Sequence, residues 1–95
     1  MPYRQDPTDE EFIALNELAG SFAGKRVLEV GCGNGRITRK FAHLAAYVDA
    51  IDPDADKITQ ARQRPHPDHV HYHPVALAEF APKERYDLAI LSWSL

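Results

Sequence analysis

Three glycines at alternate positions constrain this chain more than any other feature. Gly31, Gly33 and Gly35 follow the short run RVLEV (26–30) and precede a segment in which Ile37, Phe41 and Leu44 recur at helical spacing. The hydrophobic period changes there from two to about 3.6, the mark of a strand turning into a helix. Glycine reaches positive φ without a Cβ clash and lets other backbone or a ligand come close. A helix opening from such a turn presents unpaired N–H groups.

Similar units follow. A second strand, AYVDAI (46–51), ends at Asp52. Pro53 suits a first helical position, with Asp52 as N-cap, so a helix is expected from about 53 to 64 with Ala55, Ile58 and Ala61 on its buried side. Pro65 and Pro67 end it. A third strand, HVHYH (69–73), a short helical turn in ALAEFA, and a fourth strand, YDLAILS (86–92), complete the series. The fourth is nearly all apolar, as expected of a strand covered on both faces. Ahead of the first strand, Phe12, Ile13, Leu15 and Leu18 predict a helix over 9–22, after a frayed lead-in at 1–8. Strands alternating with helices imply an α/β fold with a parallel sheet and right-handed crossovers.

The chain has 95 residues, room for one domain, and its hydrophobic fraction of 44% is enough for a packed core. In a doubly wound order 3-2-1-4 the apolar fourth strand lies at an edge, an aggregation liability. The chain is therefore expected to be the front part of a larger domain, truncated before further strands, or to have that edge covered by a partner or a second copy. No stretch approaches the roughly 20 apolar residues of a membrane helix. The N-terminus carries no signal-like apolar region, and a cytoplasmic protein is expected. One cysteine forms no internal disulfide. The net charge of -3 gives no electrostatic footprint for nucleic acid.

Asp52 lies 21 residues after Gly31, the offset of an acid that binds a ribose diol in a nucleotide-binding βαβ unit. The nucleotide is narrowed by charge. A dinucleotide fingerprint needs a third glycine where Arg36 stands. Glu29, at the strand end, repels a pyrophosphate and suits an amine or a sulfonium. No Gly-Lys-Ser/Thr is present, which excludes a Walker A loop. A nucleoside with a cationic tail fits best.

These segments resemble the class I S-adenosylmethionine-dependent methyltransferases. VLEVGCGNGRITRKFA is similar to their glycine-rich first motif, YVDAIDPDADKITQAR to their second-strand segment with its terminal acid, and YDLAILSWSL to their fourth-strand motif. The resemblance covers about residues 25–95. It implies a Rossmann-like sheet, here the first four strands of a seven-stranded family order 3-2-1-4-5-7-6, with S-adenosyl-L-methionine as cofactor and an unidentified methyl acceptor. It assigns Gly31, Gly33 and Gly35 to the turn under the methionine portion. Glu29 would orient that turn and favour the amino end, and Asp52 would take the ribose hydroxyls. Cys32 would offer its backbone, and Pro53 would neighbour adenine. Ser92 and Trp93 would lie near the reactive methyl or the substrate entrance. The usual adenine-binding acid falls near Val75, with Glu79 the nearest carboxylate. Most acceptor-binding residues of the family come from outside these segments, so the 95 residues alone are expected to be inactive.

Other readings compete. An NAD-dependent oxidoreductase is opposed by Glu29 and Arg36; an inactive structural or regulatory partner keeps the fold without the chemistry. His69, His71 and His73 alternate along the third strand, but side chains at i and i+2 lie about 6–7 Å apart and no further ligand converges, so a solvated polar face is expected rather than a metal site. Asp49 is expected to face solvent or accept a local hydrogen bond. Cys32 at a helix start suggests a lowered thiol pKa, yet no histidine is placed to pair with it. Arg36, Arg39 and Lys40 are expected to form a solvated helix face.

Overall fold

The computed structural model describes residues 22–92. The lead-in at 1–8, the helix expected over 9–22 (except Phe22) and Trp93 lie outside the described residues. Four strands form one parallel sheet: β1 (Arg26–Val30), β2 (Tyr47–Ile51), β3 (Val70–His73) and β4 (Leu88–Leu91), in the order β3-β2-β1-β4. The order is the one expected. β1 is central because its valine–leucine run is apolar on both sides; it pairs Val27 with Val48 on one flank and with Leu88 on the other.

One sheet face carries Val27, Val48, Ala50, Val70 and Tyr72. It packs against Phe22, Ile37, Phe41, Ile58 and Ala61 to form the core. Phe22 and Phe41 stack with ring centroids 4.6 Å apart. Among the described residues, α1 (Thr38–Phe41) and α2 (Ala55–Gln63) contribute to this layer, beside Phe22 and Ile37. A 3₁₀ turn, Leu77–Glu79, sits where the short helical turn was expected.

Four expectations need correction. The segment after the glycine turn is mostly turns: positive φ at Gly33 and Gly35 delays helix until Thr38, and Lys40, Leu44 and Ala45 then donate to carbonyls only three residues back. α2 starts at Ala55, with Ala55 exposed, and its N-cap is Asp54, whose Oδ1 accepts from the amides of Asp56 and Lys57 at 3.1 and 3.2 Å. Asp52 is not the cap because its carboxylate is drawn back to the glycine turn. β4 is covered on one face only: Leu88 and Ile90 pack on the core, while Leu91 is 58% exposed.

Asp49 does not face solvent. It is buried, and accepts from Tyr47 Oη at 3.2 Å, from the Tyr86 hydroxyl, and from His73 Nε2 at 2.8 Å. The histidines diverge accordingly. His73 is spent on Asp49, His69 Nε2 meets the Ala42 carbonyl at 2.7 Å, and His71 leans on the Tyr47 ring. This lattice ties β2, β3 and the approach to β4 together across the sheet face opposite the core. Among the described residues no group of three or more histidine, cysteine or carboxylate side chains converges as a metal site. Nor is any described helix long and apolar enough to cross a membrane.

Candidate cofactor-binding site

The site forms where the C-terminal ends of β1, β2 and β4 meet. Parallel strands leave the following turns side by side at that edge, and α/β sheets bind ligands in such a crevice. Gly31, Gly33 and Gly35 have φ of +85, +56 and +88°. At Gly31 the need for glycine is also steric: a Cβ there would stand 2.2 Å from the Ser92 carbonyl oxygen. The turn after β1 and the end of β4 are thus pressed together, and Ser92 N donates to the Val30 carbonyl at 2.8 Å.

Most of the turn's amides are spent within the fold. Gly31 N and Cys32 N donate to the Ile51 carbonyl at 2.8 and 3.1 Å, and Gly35 N donates to the Cys32 carbonyl at 3.0 Å. Gly33 N donates to Asp52 Oδ2 at 2.9 Å, while Asp52 Oδ1 accepts from Asp54 N at 2.8 Å. One carboxylate therefore fixes both the glycine turn and the entrance to α2. A carboxylate has about four lone-pair sites, so acceptor capacity is left on the half-buried Asp52.

A cavity of about 360 Å³ lies beside it, lined by Val30, Gly31, Asp52, Pro53, Asp54, Lys57, Leu91 and Ser92. Of the residues singled out from sequence, Gly31, Asp52, Pro53 and Ser92 line this space. Glu29, Cys32, Gly33 and Gly35 are not on its wall, though Glu29 and Gly33 hydrogen-bond the wall residues Ser92 and Asp52; Val75 and the exposed Glu79 are not on it either. Val30, Asp54, Lys57 and Leu91 were not anticipated. Asp54 had a sequence signal, a second aspartate just before the helical run. Lys57 had none.

Glu29 is fully buried. Its carboxyl group turns inward, accepting from the Thr38 hydroxyl and, at 2.7 Å, from Ser92 Oγ. Burial raises its pKa from 4.5 to about 7; the two hydroxyls oppose that rise and the nearby Asp52 charge adds to it. Glu29 thereby clamps β1 to α1 and to the end of β4, nine and 63 residues away in sequence. Thr38 as a partner was invisible in the sequence, since nothing local links it to Glu29. Cys32 is buried, with Sγ 3.6 Å from the Gly33 carbonyl oxygen. Desolvation first, then the charges of Glu29 and Asp52, push its thiol pKa up. The lowered pKa suggested by its position is overturned, because burial outweighs any turn dipole.

A family profile described as a methyltransferase domain matches residues 27–95. The chain belongs to the class I S-adenosylmethionine-dependent methyltransferase family. Within that family it is 34% identical over 88 residues to a ubiquinone biosynthesis O-methyltransferase from Rhodopseudomonas palustris (strain BisB5), a match covering 90% of this chain and 35% of the relative. It is 28% identical over 92 residues to the enzyme of the same description from Bradyrhizobium sp. (strain ORS 278), covering 95% of this chain and 36% of the relative. The crystal structure of the N-methyltransferase NodS from Bradyrhizobium japonicum WM9 in complex with S-adenosyl-L-homocysteine superposes with a TM-score of 0.73 at 28% identity, covering 93% of this chain and 47% of that one. This methyltransferase-family chain thus spans roughly a third of the length of the curated relatives it matches.

Proposed function

We propose that this chain forms the S-adenosyl-L-methionine site of a methyltransferase. The observation that carries the proposal is the 2.9 Å hydrogen bond from Gly33 N to Asp52 Oδ2 at the wall of the cavity. It joins the bare-backbone turn and the ribose-binding acid into one surface. The residues present fit the cofactor. Asp52 has acceptor capacity left for a diol, Pro53 offers an apolar wall for a base, and Gly31 leaves the floor free of side chain. At about 360 Å³ the cavity falls in the range of ligand pockets, roughly 300–1,000 Å³.

Bound S-adenosylmethionine supplies a methyl group on a sulfonium, open to SN2 attack by an acceptor. What this chain's residues contribute is positioning, which is worth roughly 7–11 kcal/mol when reacting groups are held in line. Asp52 anchors the nucleoside end. Glu29, through Thr38 and Ser92, holds the turn and the end of β4 at a fixed separation. Relatives named for oxygen and for nitrogen acceptors match alike, which ties the shared portion to the donor side of the reaction.

The rival NAD-dependent reading loses support at the turn. A pyrophosphate needs free amides there, and those of Gly31, Cys32, Gly33 and Gly35 already have protein acceptors. Isothermal titration tests the main proposal. S-adenosylhomocysteine is expected to bind and NADH not to, with Asp52→Ala weakening binding at least about tenfold. Heat from NADH alone would reverse the assignment.

A further inference from the structure

The wall of the donor cavity has two ends. In the order β3-β2-β1-β4, β1 separates β2 from β4, so Leu91 and Ser92 stand at one end and Asp52, Pro53, Asp54 and Lys57 at the other. The second end is the one proposed to hold the nucleoside. Its side chains offer two carboxylates and one ammonium, and these are not equally occupied. Asp52 accepts from Gly33 N and Asp54 N, and its remaining capacity is assigned to the ribose. Asp54 caps α2, its Oδ1 taking the amides of Asp56 and Lys57. The Lys57 side chain is half-buried. Among the described residues it makes no hydrogen bond and no ion pair, even with the two aspartates of the same wall. All three of its N–H donors are unspent.

Nothing local accounts for a lysine at this position. Lys57 is the third residue of α2, in the first turn, where a cation opposes the helix dipole. The basic residue that complements the dipole is Arg62, in the last turn. A half-buried ammonium without a partner also loses hydration that nothing in the fold returns. A ligand with hydrogen-bond acceptors at this end of the cavity supplies the missing partner.

A purine edge carries ring nitrogens that accept and, in adenine, an exocyclic amine that donates. An ammonium pairs with the first and has nothing to offer the second. Neither Val75, where the family resemblance puts the amine-binding acid, nor Glu79 is on the wall. A site that hydrogen-bonds a ligand group strongly rejects analogues lacking it, whereas a site without a partner for that group discriminates weakly.

We infer that, given the donor-site function proposed above, Lys57 reads the base by its acceptor atoms, so that a 6-oxopurine nucleoside is accepted at least as well as adenosine. In a 6-oxopurine a carbonyl acceptor replaces the amine beside N7, the same pair of acceptors that lysine contacts in guanine.

The test is isothermal titration of the full chain with S-adenosylhomocysteine and with S-inosylhomocysteine, which differ in the base alone. The wild type is expected to bind both, the inosyl ligand with equal or greater affinity. Lys57→Met, similar in size and uncharged, is expected to weaken the inosyl ligand about tenfold and the adenosyl ligand less. Lys57→Arg is expected to restore the wild-type ratio. A general loss of stability weakens both ligands and leaves that ratio alone. Asp54→Asn keeps a capping side chain and is expected to hold the ratio, whatever its effect on either affinity. Inosyl binding at least about tenfold weaker than adenosyl binding in the wild type overturns the inference and leaves the donor site standing. So does a ratio that Lys57→Met does not change, or one that Asp54→Asn shifts toward the inosyl ligand, which would assign the amine to Asp54. Binding of neither ligand overturns the donor site itself and this inference with it.

Discussion

Glu29 allows a quantitative test of how the site is held together. Its carboxyl is fully buried and binds a proton more tightly in the fold than in the unfolded chain, with the pKa moved from 4.5 to about 7. Each tenfold change in proton affinity is worth about 1.36 kcal/mol, so the move corresponds to about 3 kcal/mol. Below pH 4.5 both states hold the proton and the fold keeps this contribution in full. As the pH rises toward 7 the unfolded chain releases its proton first, and stability falls; by pH 8 the loss is complete. Glu29→Gln carries no ionisable proton there and keeps a polar partner for Thr38 and Ser92. Urea unfolding of the wild type and this variant, measured from pH 4.5 to 8, isolates the effect, since all other titrating groups are shared. The difference in unfolding free energy is expected to move by about 3 kcal/mol in favour of the variant across that range. A difference that stays flat, or moves the other way, would refute the inward-facing, desolvated carboxyl.

Three further outcomes follow from the same contacts. Gly31→Ala places a methyl 2.2 Å from the Ser92 carbonyl at positive φ and is expected to cost more than about 3 kcal/mol in thermal or urea unfolding. Gly24→Ala, with φ +70° but nothing within 4 Å of the new methyl, should cost only about 1 kcal/mol; equal costs would contradict the close approach of β4. Tyr86→Phe removes one of three donors to the buried Asp49 and is expected to destabilise by about 1–3 kcal/mol, with Asp49→Asn at least as damaging in the same unfolding assay. Cys32, buried and with its thiol pKa raised, is expected to react with a disulfide reagent at least about a hundredfold more slowly in the native protein than in denaturant; comparable rates would place it at the surface.

The sheet was legible because parallel strands bury both faces near the centre, and the central strands β1 and β2 carry the residues for it. Gly31 was legible as a backbone requirement, although the group that demands it, the Ser92 carbonyl, lies 61 residues away. Asp52 was legible by offset. Its second job, accepting from Gly33 N, was not, and that job is why the helix cap passes to Asp54. The direction of the Glu29 carboxyl and the burial of Asp49 are both fixed by partners far along the chain, Ser92 for one and His73 and Tyr86 for the other. No local pattern encodes such contacts. β4 misled because an apolar run announces burial on two faces, while alternation sends Leu88 and Ile90 to the core and leaves Leu91 exposed.

The most direct trial of the account is a crystal structure of this chain grown with S-adenosylhomocysteine. The nucleoside is expected beside Gly31 and Pro53, with its ribose hydroxyls within hydrogen-bond distance of the Asp52 carboxylate. A ligand seated elsewhere on the protein, or in that cleft with the ribose turned away from Asp52, would contradict it.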